Sequence, residues 1–346
     1  MKGEALDALL VTHLPNIRYL TGFTGSAALL LVTGRETVLI TDSRYAAQAP
    51  TEVGAAADVL IEPVNVWSRL SGLLTQQAES RVGIEAHAIT VRDAARIEHA
   101  VRGEVVPVAD LVEDLRVVKS ASEVAAIRGA AALAQEALVE ILPGIRVGST
   151  ELEIASALER ALRRRGSEWH PFPTIVASGP RSALPHAGTS RREVERGDLL
   201  LVDFGAQVDG YCADLTRCFV VGGPADERQR MVYDLVLEAQ RRALQHLRPG
   251  MTGAEGDALA RQVIQRRGFG EAFGHALGHG LGLEVHEAPR IAASAERPIP
   301  VHAVVTVEPG IYLGGWGGIR LEDDLYLGPA GPECLSAPAG ELTELG

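Results

Sequence analysis

The stretch GDLLLVDFGAQVDGYCADLTRCFVV, residues 197–221, constrains the fold more than any other part of the chain. Two runs rich in β-formers flank Asp209-Gly210, a dipeptide favoured in type I′ hairpin turns because both central residues need positive φ. The segment therefore reads as an antiparallel hairpin, with Asp203 and Asp214 on opposite arms. Their separation, 214 − 203 = 11, is odd. Across a two-residue loop that parity puts both on one face of the sheet. They are directly opposite if the loop is 208–209 and diagonal if it is 209–210. Asp203 also interrupts an apolar arm, LLLVDF. Like charges so placed repel, and a buried carboxylate pair needs a cation or a shared proton. If Asp214 faced solvent the conflict would vanish, so the hairpin alone does not define a site.

Other segments add to the set. VVTVEPGIY (304–312) ends a β-rich run at Glu308. GGIRLEDDLYL (317–327) carries Glu322 two residues after Arg320, on the same strand face by the period of two. GHALGHGLGLEVHEAP (274–289) holds His275, His279 and His286, with glycines at 274, 278, 280 and 282. The four-residue spacing of His275 and His279 invites comparison with H-E-x-x-H zinc proteases. That motif needs a helix and a glutamate after the first histidine; here the position is Ala276, among glycines. Such backbone instead suits close approach of a ligand or a second strand. A mainly oxygen donor set with one imidazole suits Mn²⁺, Co²⁺, Fe²⁺ or Zn²⁺. Several carboxylates can bridge two such ions about 3.5–4 Å apart, which together hold and activate one water.

With 346 residues, the chain is long enough for two domains. The first 115 or so residues read as an α/β domain. Its predicted strands are 27–33, 37–42, 81–85 and 104–109, with a helix over 90–103. A boundary falls near residues 116–120. Ser120 and Glu123 then form a capping box opening an alanine-rich helix that stops at Pro143-Gly144. Residues 143–166 resemble 249–268: each copy opens with Pro-Gly, carries a T-x-x-E pair (Thr150/Glu153, Thr252/Glu255) and ends in arginines and a glycine. Two similar halves imply a pseudo-symmetric domain with a cleft.

The net charge of −12 argues against a nucleic-acid partner. Three cysteines without a C-x-x-C argue against disulfides and a thiolate zinc site. The N-terminus lacks a signal-peptide pattern, and no apolar run approaches the ~18 residues of a membrane span. A cytoplasmic enzyme is expected.

In order, VASGPRSALPHAG (176–188), LVDFGAQVDGYCADLTR (201–217), HALGHGLGLEVHEAPR (275–290), TVEPGIY (306–312) and GGIRLEDD (317–324) are similar to the signatures of the pita-bread metallopeptidases. That group includes methionine aminopeptidase, prolidase and aminopeptidase P. PNIRYLTGFTGSAALLLV (15–32) resembles the creatinase-type N-terminal domain of the last two, so methionine aminopeptidase fits less well.

The resemblance implies an α+β architecture: a small creatinase-like α/β N-terminal domain (1–117) followed by a pseudo-twofold pita-bread catalytic domain (118–346). It assigns Asp203, Asp214, His279, Glu308 and Glu322 as ligands of two divalent ions, Mn²⁺ first, with Co²⁺, Zn²⁺ or Fe²⁺ as alternatives. His186, His275 and His286 become substrate-binding, non-ligand histidines, with His286 also stabilising the oxyanion. Glu308 carries the proton while remaining a ligand, and Arg320 orients Asp203 or Tyr312. The implied activity is a Xaa-Pro aminopeptidase acting on peptides with proline second, with prolidase (Xaa-Pro dipeptidase) as the alternative. A homodimer is the expected assembly. A metal-free scaffold or a creatinase-type amidinohydrolase fits poorly, because all five ligand positions are filled.

Overall fold

The computed structural model describes residues 5–76 and 80–346. The chain divides into two compact units, Met1–Arg116 and Val117–Gly346.

The first unit is a six-stranded sheet in the order Asp58–Ile61, Thr37–Thr41, Ala28–Thr33, Ala8–Val11, Arg81–Glu85, Glu104–Val108. The central hairpin pairs antiparallel, and Asp58–Ile61, Arg81–Glu85 and Glu104–Val108 add in parallel. Alternation sorts side chains onto two faces. Leu9, Val11 and Leu30 pack with Ile17, Ala49 and Val53, whereas Leu10, Leu29 and Leu31 pack with Leu70, Leu74 and Ile97. The predicted strands are present, together with Ala8–Val11 and Asp58–Ile61, which sequence reasoning left unassigned. The helix predicted over 90–103 spans only Val91–Ala100. It ends where Val101 turns to extended backbone (φ −80°, ψ 132°), and Gly103 then passes so near Ser80 that a Cβ there would meet the Ser80 carbonyl oxygen at 2.2 Å.

The second unit repeats one theme: two capped helices, then a sheet that is antiparallel except where Thr343–Leu345 joins Leu215–Val221 in parallel. Helices Ala121–Ile141 and Glu151–Arg165 precede a four-stranded sheet ordered Thr343–Leu345, Leu215–Val221, Asp198–Phe204, Ile175–Ser178. Helices Glu227–His246 and Gly253–Arg266 precede a five-stranded sheet ordered Glu287–Ile291, Gly278–Gly280, Ala303–Val307, Asp323–Gly328, Gly331–Cys334. All four helices open with a complete capping box. Ser120/Glu123, Thr150/Glu153 and Thr252/Glu255 are the expected ones, and Asp226/Gln229 is a fourth. The first helix leaves α geometry at Ile141 and makes one 3₁₀ turn through Pro143, which has no N–H to continue the ladder. Among the described residues, no helix is long and apolar enough to cross a membrane.

Candidate metal centre

The hairpin places the first two carboxylates. In Asp198–Phe204, Leu200, Val202 and Phe204 pack toward the first helix pair, and Leu199 and Leu201 toward the core of the second. Asp203 continues the Leu199/Leu201 face. On the facing strand Cys218 and Val220 line that same core, and Thr216 and Asp214 continue their face. The register pairs Thr216 with Asp203, and Asp209 and Gly210 form the turn with φ of 51° and 82°. The loop is therefore 209–210, and the two aspartates are diagonal neighbours. Both are nearly buried, at 8% and 5% exposed.

The remaining acids arrive from the second sheet. Glu308 directly follows Ala303–Val307, and its N–H donates to the Leu277 carbonyl at 2.8 Å. His279 is the middle residue of Gly278–Gly280. The flanking glycines are required because neighbouring backbone presses on both sides. A Cβ on Gly278 would lie 2.0 Å from the Thr306 carbonyl oxygen, and one on Gly280 would lie 2.0 Å from that of Ala288. Close approach of other strands therefore accounts for glycines around His279. Glu322 sits between Gly317–Arg320 and Asp323–Gly328, bridged to Thr216 through its backbone N–H and through the Thr216 hydroxyl, which donates to Oε2 at 2.7 Å.

Donor atoms of Asp214, His279 and Glu322 all lie within 4.8 Å of one another. His279 Nε2 is 3.8 Å from Asp214 Oδ2 and 3.6 Å from Glu308 Oε1. His279 Nδ1 lies 3.0 Å from the Gly280 carbonyl, which can only accept. Nδ1 therefore carries the hydrogen, and Nε2 turns its lone pair toward the carboxylates. Burial lowers the His279 pKa to about 4, so the ring is neutral at physiological pH.

The carboxylates respond in the opposite sense. Burial, then repulsion from Asp203, lifts Glu322 to about 8. Burial, reinforced by Glu322, pushes Asp214 and Glu308 well above the ordinary range. Asp203 is raised too: desolvation outweighs the opposing Arg320 charge. Asp203 Oδ1 and Asp214 Oδ1 are buried without any hydrogen-bond partner. Crowded, desolvated carboxylates with orphaned oxygens and one outward lone pair are what divalent cations relieve, so this donor set fits metal ions.

Arg320 braces the cluster. It donates to Asp203 at 2.6 Å, Thr216 Oγ1 at 3.0 Å, Tyr312 Oη at 2.9 Å and the Pro185 carbonyl at 3.1 Å. Tyr312 in turn lies 2.9 Å from His275 Nε2. Since His275 Nδ1 donates to the Ala276 carbonyl, the polarity runs from Arg320 through Tyr312 to His275. Burial lowers His275 to about 4. The His286 ring lies 4.3 Å from that of His279 and is open to solvent, with a pKa lowered first by burial. His186 is exposed, one residue beyond the carbonyl that Arg320 holds, and acts electrostatically on Asp203, His275 and His286.

Sequence reasoning passed over several neighbours. Thr216 relays between Arg320 and Glu322, and hairpin parity could have found it, two residues after Asp214. Thr306 Oγ1 accepts from the His279 N–H at 3.2 Å and donates to Glu308 at 3.5 Å. Asp324 is fully buried, accepts from the Asp214 N–H at 3.3 Å and is raised well above its usual pKa, chiefly by burial. The doublet Asp323-Asp324 was its only signal. Asp323 is satisfied by Arg217, Ser336 and Gln240.

A two-sheet fold with paired helices around a buried histidine–carboxylate cluster defines a metal-dependent hydrolase of pita-bread architecture. The chain belongs to metallopeptidase family M24, whose model matches residues 125–329, and residues 1–118 match the Creatinase/Prolidase N-terminal domain. A Xaa-Pro dipeptidase of Pyrococcus horikoshii is 35% identical over 343 residues, 99% of this chain and 96% of that protein. The structure of a Xaa-Pro dipeptidase from Bacillus anthracis superposes with a TM-score of 0.95 at 37% identity, covering 99% of this chain and 96% of that one. That of an X-Pro aminopeptidase from Thermotoga maritima gives 0.92 at 38%, covering 98% of each.

Proposed function

We propose that the protein hydrolyses the Xaa-Pro bond of short peptides, releasing the N-terminal residue, with Xaa-Pro dipeptides as the substrates that fit best. The observation that carries the chemistry is the convergence of Asp203, Asp214, His279, Glu308 and Glu322, with two buried carboxylate oxygens left unpartnered. These five residues would hold two divalent ions, Mn²⁺ first. Bound there, the ions supply Lewis acidity that polarises the scissile carbonyl and acidifies water.

The chain's own groups do the rest. Glu308, beside His279, accepts the proton of the attacking water and returns it to the leaving proline nitrogen. Water adds across the amide, giving a free carboxylate on Xaa and a free imino group on proline. His286, at the solvent-open edge next to His279, donates to the oxygen that gains charge, a contribution on the order of 3–4 kcal/mol for one such donor. His275 is kept neutral and oriented by Tyr312, and with His186 it lines the substrate's approach. Arg320 holds Asp203 and Tyr312 together. An Xaa-Pro amide has no N–H, so the site need supply no acceptor for it.

The resemblance of the sequence motifs by itself favours aminopeptidase activity. Two considerations move the preference to dipeptides. The Pyrococcus horikoshii and Bacillus anthracis relatives are named Xaa-Pro dipeptidases. The side chain of Arg290, exposed on the edge strand that begins just after His286, makes no hydrogen bond or ion pair with the described residues. It is a free guanidinium suited to proline's carboxylate. The name of the Thermotoga maritima structure keeps aminopeptidase activity as the second reading. The test is paired hydrolysis of a Xaa-Pro dipeptide and a Xaa-Pro-Yaa tripeptide with Mn²⁺ and with chelator. Chelator-sensitive cleavage of the dipeptide alone supports the first reading and cleavage of the tripeptide the second. If metal-loaded protein cuts neither, both are wrong.

A further inference from the structure

Each half of the catalytic unit contains a buried carboxylate–arginine pair that grips a histidine-bearing segment by its backbone. In the second half the pair is Asp257–Arg261, one turn apart on the helix Gly253–Arg266, with Arg261 Nε 2.5 Å from Asp257 Oδ2. Asp257, 1% exposed, accepts the Leu277 N–H at 3.1 Å. Arg261 donates to the Phe273 carbonyl at 2.8 Å and the His275 carbonyl at 2.7 Å. Its guanidinium also covers the Phe273 ring at 4.1 Å, and that ring meets the His275 imidazole edge-on at 5.1 Å. One side-chain pair thus holds both polarities of a glycine-interrupted backbone that has little regular structure of its own.

In the first half the pair is Glu151–Arg181, at 3.1 Å. Glu151, fully buried, is the first residue of its helix. It accepts from the Ser178 N–H and hydroxyl at 2.8 and 2.9 Å and from the Ser190 N–H and hydroxyl at 3.0 and 2.6 Å. Arg181 donates to the Gly188 carbonyl. These contacts close the loop that carries His186, while Arg320 holds the Pro185 carbonyl from the other side. The two carboxylates do not occupy equivalent positions in the internal repeat: Glu151 directly follows its cap Thr150, whereas Asp257 lies a turn further from Thr252. The halves reach the same device from different positions.

We propose that Asp257–Arg261 and Glu151–Arg181 are positioning clamps that set His275 and His186 for the reaction, an inference that rests on the pocket roles given to those histidines above. None of the four residues touches substrate. They act through the backbone, where a shift of about 1 Å in a reacting group can cost roughly 100-fold in rate.

The experiment is hydrogen–deuterium exchange with peptide-level readout on the metal-loaded full chain, beside steady-state kinetics. Arg261→Met is expected to speed exchange in residues 273–277 and leave 178–190 unchanged; Arg181→Met is expected to do the reverse. Each should lower kcat by roughly 10–100-fold with KM and metal content near the parent's. Arg261→Lys keeps a charge opposite Asp257 but not the fork that reaches two carbonyls. It should recover melting temperature without recovering kcat. Exchange unchanged in the clamped segment, or kcat returning together with stability in Arg261→Lys, overturns the proposal. If the parent protein cleaves no Xaa-Pro peptide, the functional reading fails by itself, and the exchange pattern still decides whether the clamps exist.

Discussion

Arg320 Nη2 lies 2.6 Å from Asp203 Oδ2, and the two side chains are only 4% and 12% exposed. A buried pair broken on one side leaves an uncompensated charge, typically about 3–5 kcal/mol. Arg320→Met should therefore lower stability by that order in chelator-treated protein and by less with Mn²⁺, because a cation beside Asp203 replaces the lost guanidinium. Thermal melts with and without metal test this. Equal losses in both states would remove Asp203 from the metal set.

The raised carboxylates predict a pH dependence with a definite sign. Glu322 is shifted from 4.5 to about 8, so the folded, metal-free protein holds a proton that the unfolded chain releases. Such a group's stabilising contribution is complete below about 4.5 and is lost as pH rises through about 8. Metal-free protein should lose stability across that window, and metal-loaded protein should not. Calorimetric titration with Mn²⁺ near pH 7 in two buffers of different ionisation enthalpy should show net proton release. Zero release would mean that the cluster is already ionised.

Glu308→Gln keeps shape and removes a charge. As the proton carrier, Glu308 should account for about 10²–10⁴-fold in kcat. Because burial, then repulsion from Glu322, disfavours its charged form, the same change should stabilise the metal-free fold. Activity within a few-fold of the parent would move the proton-transfer role elsewhere.

Gly280→Ala tests why glycines surround His279. The new methyl would sit 2.0 Å from the Ala288 carbonyl oxygen, so backbone must shift. Overpacking of this kind costs about 1–3 kcal/mol, and the shift should displace His279. Metal stoichiometry by mass spectrometry should fall below that of the parent. Gly274→Ala, with no atom within 4 Å of the added methyl, is the control.

Arg290→Ala separates the substrate readings. A charge-assisted hydrogen bond is worth about 1.5–3 kcal/mol. The variant should therefore lose roughly 10–100-fold in kcat/KM on a Xaa-Pro dipeptide, with little change on tripeptides that place no carboxylate there. Equal losses on both would assign Arg290 to the fold.

Local pattern was enough for much of the centre. Hairpin parity put Asp203 and Asp214 on one face, and capping pairs marked three of the four helix starts in the catalytic unit, because period and turn chemistry act over a few residues. The glycines around His279 were legible as a demand for close approach. That neighbouring strands make the approach, through the Thr306 and Ala288 carbonyls, only the assembled sheet decides. The bracing contacts lay further out of reach: Arg320 meets Asp203 across 117 positions and Thr216 across 104. No local propensity encodes such a contact, since it exists only once two sheets have brought distant strands together and removed water from between them. Burial settled the electrostatics for the same reason. The sequence by itself determined which carboxylates and histidines were available and on which strand faces they stood; the tertiary structure decided how far each was desolvated, and with that its need for a cation.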